Sequence, residues 1–186
     1  MSYKKIIALT IFSVASSYSL AFPACGLNIP DGIGLQQESS DECSILIEKK
    51  INFESLDYFH IYEHTGVAEL LSDNTYFINN KEAPYFVSEE INDPKFTIHT
   101  IKQDQAQPIQ FGKFHGYEGF AKYFIQILPT ESQQDTSYPS SISCAFIVAG
   151  SDEKSFKMRT CFPSTASGML ELGNIVSAIK TIQPLK

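Results

Sequence analysis

The sequence predicts an α+β fold: an antiparallel β-sheet with flanking helices, the last of which packs across the sheet. Three observations carry this expectation. Short β-rich runs separated by turn residues dominate the chain from Thr75 to Arg159. One long apolar stripe at helical spacing follows them near the end. Two cysteines, Cys144 and Cys161, bracket the turn-like segment Gly150 to Lys154, which is the spacing of a bridged hairpin.

Taken in order, the chain of 186 residues opens with Lys4 and Lys5, an apolar run from Ile6 to Val14, and small residues at Ser19 and Ala21. This is the pattern of a secretory signal peptide covering residues 1–21, with the mature domain running over residues 22–186. The apolar run is too short for a membrane span. Lipidation of Cys25 is the rival processing route, but Phe22-Pro23-Ala24 lacks the aliphatic residue a lipobox places three positions before its cysteine. The turn signal Asn28 to Gly32 and a strand at Ser44 to Lys50 come next.

Between Asn52 and Asp73 the apolar positions fit a helix broken at Thr65-Gly66, while Leu56, Tyr58, His60, Tyr62 and His64 alternate as a strand would. From Thr75 the runs TYFIN, APYFV and KFTIHTI read as strands. QPIQFGKFHG and EGFAKYFIQIL read as a hairpin turning at His115 to Glu118. Pro129 to Ser141 is a polar loop. The closing helix spans Ala166 to Ile182, with Met169, Leu172, Ile175, Val176 and Ile179 as its stripe and Pro184 as its stop.

Four cysteines in an exported chain imply two disulfides. Opposing Cys144 and Cys161 centres the hairpin between Asp152 and Glu153 and pairs Gly150 with Ser155. Parity then puts Ala145, Ile147, Ala149, Phe156 and Met158 on a core face. Phe146, Val148, Lys157 and Arg159 fall on the cysteine face, a mixed surface open to water. Cys25 and Cys43 are left to form the second bridge.

Removing Lys4 and Lys5 with the signal leaves 12 basic against 21 acidic residues, a formal charge of −9. That balance argues against nucleic acid and anionic membranes and favours a protein partner, a basic one by charge complementarity. One catalytic motif is present: His60-Ile61-Tyr62-Glu63-His64 matches H-x-x-E-H. On a helix its histidines share a face and could hold zinc while Glu63 activates water. The third ligand such sites need is missing; Glu131, 67 residues beyond His64, lies in the polar loop. No serine elbow, free catalytic thiol or phosphate-binding glycine loop accompanies it, so no cofactor is expected.

Pro30-Asp31-Gly32-Ile33, the Gly116-Tyr117-Glu118-Gly119 segment and the closing Asn174 to Lys180 helix together resemble the Mog1/PsbP-like fold. In that family an antiparallel sheet is flanked by helices, and members serve mainly as binding or accessory proteins. The resemblance therefore implies no active site. By elimination the expectation is an exported, non-enzymatic protein-binding protein of the bacterial periplasm, most concretely an inhibitor or immunity protein against a secreted toxin. A zinc hydrolase on His60, Glu63 and His64 and a passive envelope accessory module are the alternatives. Candidate contact residues are Tyr117, Glu118, Phe146, Lys157 and Arg159.

Overall fold

The structure, a computed structural model, describes residues 21–30, 35–37, 43, 45–47, 56–72, 77–80, 83–86, 96–127 and 139–185. The segment predicted as a signal peptide, to residue 20, and the predicted polar loop at 129–138 with Glu131 lie outside the described residues.

Among the described residues thirteen strands and two helices follow one another: β1 (Ala21–Ala24), β2 (Leu27–Pro30), β3 (Leu35–Gln37), β4 (Ile45–Ile47), β5 (Tyr58–Glu63), α1 (Val67–Ser72), β6 (Phe77–Asn80), β7 (Ala83–Phe86), β8 (Phe96–Gln103), β9 (Gln107–Phe111), β10 (Phe114–Ile127), β11 (Ser141–Gly150), β12 (Lys154–Pro163), α2 (Ala166–Ile179) and β13 (Gln183–Pro184). The main sheet is antiparallel with order β5-β12-β11-β10-β8, and β9 pairs the first part of β10. A smaller sheet, β1-β2-β13, joins residues 27 and 28 to residues 184 and 183. The α+β expectation holds.

The hairpin of β11 and β12 has the predicted register: Cys144 opposes Cys161, Gly150 opposes Ser155, and Ser151 N–H donates to the Lys154 carbonyl at 2.7 Å across the turn. Cys144 and Cys161 are bonded, with Cα atoms 4.0 Å apart. The predicted core face also holds. Ala145, Ile147, Ala149, Phe156 and Met158 are all buried and meet Leu172, Ile175, Val176 and Ile179 of α2, Leu27 and Ile29 of β2, and Ile45 and Ile47. Phe156 sits at the centre of a ring cluster, 5.1 Å from Phe59, 5.5 Å from Phe114 and 6.3 Å from Phe111 between centroids.

The opposite face differs from expectation. Phe146 (1% exposed), Arg159 (3%) and Val148 (7%) are buried with Cys144 and Cys161 in a second core, completed by Leu56, Leu70, Phe96, Ala121, Tyr123 and Ile125. Partly buried Tyr62, Val67, Leu71 and Tyr117 pack at its margin. A strand buried on both faces needs no polar alternation, and all of β11 after Ser141 is buried. Phe146 and Arg159 are thus interior residues, where a water-tolerant surface was expected.

Helix α2 begins at Thr165, whose Oγ1 accepts from the Gly168 N–H at 3.1 Å. Its buried side is Gly168, Leu172, Ile175, Val176 and Ile179, while Met169, expected in the stripe, is exposed. The helix ends at Ile179, three residues short of the predicted Ile182.

The hairpin expected at His115 to Glu118 turns earlier. Gly112, at φ 53, makes the turn between β9 and β10, and Gly116 to Gly119 lie inside β10 paired with Phe146 to Ala149. Gly116 serves close approach instead: a Cβ there would come within 2.0 Å of the Val148 carbonyl oxygen and 2.7 Å of the Ala149 Cα. Neither atom can retreat without moving β11. Gly116→Ala is therefore expected to cost about 2 kcal/mol of stability, read as a lower urea midpoint. A midpoint equal to wild type would show that β11 yields freely.

Candidate functional site

The H-x-x-E-H segment is not helical. Residues 58–63 form β5 on the edge of β12, with His60 opposite Lys157 and Tyr58 opposite Arg159. The alternating burial of β5 sends Phe59 and Ile61 into the first core and His60 out to solvent, where its ring stacks on Tyr58 at 5.5 Å and 8°. Glu63 lies beyond Ile61 on the other side of the strand, and its carboxylate is paired with the Lys154 ammonium. That pairing holds the Glu63 carboxyl below its ordinary pKa. His64, at the left-handed φ of 56, leaves the strand. The three side chains do not converge, and no group of three His, Cys, Asp or Glu residues among the described residues could hold a metal ion.

The other contact candidates have structural engagements. Arg159 donates from Nε to the Leu56 carbonyl, and its guanidinium lies over the Tyr58 ring, 5.0 Å from the centroid. Lys157 lies over Tyr62 at 5.6 Å. Glu118 pairs with Lys180 at the end of α2 at 2.6 Å. Tyr117 is half-buried within β10, away from any hairpin tip.

Cys25 and Cys43 are free thiols, so the second predicted disulfide is not formed. The predicted partners are nonetheless neighbours at the margin of the first core, where Cys43 adds to the burial that raises the Cys25 pKa. Cys25 is the first residue of the two-residue turn between β1 and β2, where Cys25 and Gly26 take φ values of 52 and 72.

An open face lies on the outer half of the main sheet. Helix α2 covers β11 and β12, and beyond it Phe120, Lys122, Phe124 and Gln126 of β10 are exposed, alternating with the buried Ala121, Tyr123 and Ile125. Across the ladder, His99 pairs with Phe124 and Thr97 with Gln126. The His99 ring stands 6.5 Å from Phe124, and its Nε2 shares a 3.1 Å hydrogen bond with Gln126 Oε1. The register shifts at Lys122/Tyr123, so Ile101 is an extra residue between Thr100, opposite Tyr123, and Lys102, opposite Lys122. Such a bulge turns an additional side chain outward.

No family model, curated protein or solved structure matches this chain. The geometry of the face therefore has to speak alone. Ile101 is 55% exposed, Phe124 44% and Phe120 37%. Lys102 and Lys122 flank them, and Lys102 reaches Asp104 at 2.9 Å. Three large exposed apolar side chains on the neighbouring strands β8 and β10, with Lys102 and Lys122 among them, suit docking of another surface. By composition alone Phe120, Phe124 and their aromatic neighbours resemble core residues. The signal that separates them is the strict alternation Phe120/Lys122/Phe124 against Ala121/Tyr123/Ile125, in which the polar Lys122 marks the exposed set.

Proposed function

We propose that this protein is an exported, non-catalytic protein-binding protein of the bacterial periplasm, of the inhibitor or immunity type, and that it meets its partner on the open face of β8 and β10. The exposed Ile101, Phe120 and Phe124 carry the reading. Burial of those three side chains would supply the apolar centre of an interface, with Lys102, Lys122, His99 and Gln126 as its polar rim. The signal-peptide pattern and the bonded Cys144 and Cys161 support the exported part of this reading.

The face revises the chemistry of the partner. Net charge favours a basic protein, but the face itself carries Lys122 beside the Lys102–Asp104 pair, so the docking segment combines apolar side chains with an acidic one placed for Lys122. The accessory role implied by the fold resemblance differs from this one in having no stoichiometric partner.

The test uses the mature protein to isolate its partner from producing cells, followed by calorimetry with the purified partner. A one-to-one complex should form with wild type and weaken at least about thirtyfold in Phe124→Asp. Lys122→Glu should weaken it further and remove most of its salt dependence. A complex indifferent to both changes places the interface elsewhere, and the absence of any stoichiometric complex favours the accessory role.

A further inference from the structure

We propose that Cys25 and Cys43 are a reversible oxidation site: a dithiol that closes to a disulfide by exchange with a disulfide-bearing protein or small molecule, and reopens with a thiol donor, while Cys144–Cys161 stays bonded.

The four cysteines occupy two environments. Cys144 and Cys161 have no exposed surface and join adjacent central strands. Cys25 and Cys43 are partly exposed at the margin of the first core, as thiols. Exchange requires an attacking sulfur to reach the bond. A reagent in solution therefore reaches the second pair and not the first.

Two separate backbone devices bring the second pair together. The tight turn after β1 presents Cys25, and the Cys43 carbonyl accepts the Ile61 N–H of β5 at 2.8 Å. Cys25 takes a left-handed φ at a turn position that glycine, asparagine or aspartate fills at lower conformational cost. Strain of this kind persists where the surrounding structure over-determines it, as it does at functional sites. Here it aims one thiol at the other.

The surroundings assign an order to the sulfurs. Lys154 lies against the turn, since a Cβ on Gly26 would stand 2.8 Å from its Cε and Nζ, and Lys154 in turn holds Glu63. Burial, the Cys43 thiol and the Glu63 carboxylate push the Cys25 thiol up to about 12 against the opposing pull of Lys154. Cys25 therefore stays protonated at neutral pH and serves as the second, resolving sulfur.

In the forward direction Cys43 loses its proton to solvent and attacks one sulfur of the donor. The donor's S–S bond breaks and one half leaves as a thiolate. Cys25 then gives up its proton and attacks the Cys43 sulfur, expelling the second half. The pair has lost two protons and two electrons, and the donor has become two thiols. The new bond ties the hairpin of β1 and β2 to the segment ahead of β4, both of which help cover the first core.

The test is redox titration of the mature protein in glutathione buffers, quenched with an alkylating reagent and read by intact mass and peptide mapping. At the reducing end two alkyl groups should map to Cys25 and Cys43. At the oxidising end none should be present and the mass should fall by two hydrogens, with Cys144–Cys161 bonded throughout. Cys25→Ser should trap glutathione on Cys43, whereas Cys43→Ser should leave Cys25 reacting at least about tenfold more slowly. Two alkyl groups persisting at the oxidising end, a single transition shared by all four cysteines, or Cys25 recovered with a stable lipid adduct would each overturn the proposal.

Discussion

Phe156→Ala is expected to lower the free energy of unfolding by about 4 kcal/mol, the cost of removing a large aromatic side chain from a site that cannot collapse around the loss. Phe156 has no exposed surface and touches three other rings, which come from β5, β9 and β10. No single element can move in to fill the space, because each is held by its own ladder. Phe156→Leu keeps most of the volume and should cost less than half as much. Urea unfolding followed by circular dichroism measures both. The expected pattern is a lower midpoint at unchanged slope, and equal midpoints for the alanine and leucine variants would show that the cluster repacks.

Arg159→Ala is the second large effect, expected at about 3 kcal/mol. The Arg159 side chain is almost wholly buried, its Nε satisfies the Leu56 carbonyl, and its planar head covers the Tyr58 ring. Truncation leaves that carbonyl, part of a segment buried at Leu56, without its donor, and also opens a cavity. Arg159→Lys keeps the charge but not the planar fork, so it should recover only part of the loss. If Arg159 were a contact residue, as sequence reasoning suggested, truncation would weaken partner binding and leave the urea midpoint unchanged.

These two residues mark where the sequence is legible. The register of β11 and β12 follows from two facts, opposed cysteines and a turn-forming segment between them, because antiparallel pairing fixes every other pair once one is known. The apolar stripe of α2 is similarly local, and only its outlying Met169 failed. What periodicity could not show is how many faces of a strand are covered. Arg159 was placed on a watery face because parity sets it with Lys157 opposite the predicted core, on a face of mixed polarity. Yet the unbroken apolar run from Cys144 to Ala149 is the pattern of a strand covered on both sides.

The two competing periods in residues 52–73 are both present in the fold. Among the described residues of that stretch, alternation won in β5 and helical spacing in the six residues of α1 after Gly66. The β9–β10 turn was missed because Gly116 and Gly119 outweighed Gly112 in a reading that equates glycine with turning; Gly116 is needed for the distance between strands. The open face was half-legible, since its aromatic residues look like core in composition and reveal themselves only by their parity with Lys122.

The pairing of β2 with β13 bears on the order in which this chain acquires its shape. Leu27 and Asn28 find their partners at Pro184 and Gln183, so the first core cannot be sealed until residue 184 has been synthesised. Closing so long a loop carries a large entropic toll and slows folding. For a polypeptide threaded unfolded across a membrane, as proposed for this one, that delay is useful. Under that proposal it would keep the emerging chain pliable before export and defer its final compaction to the far side.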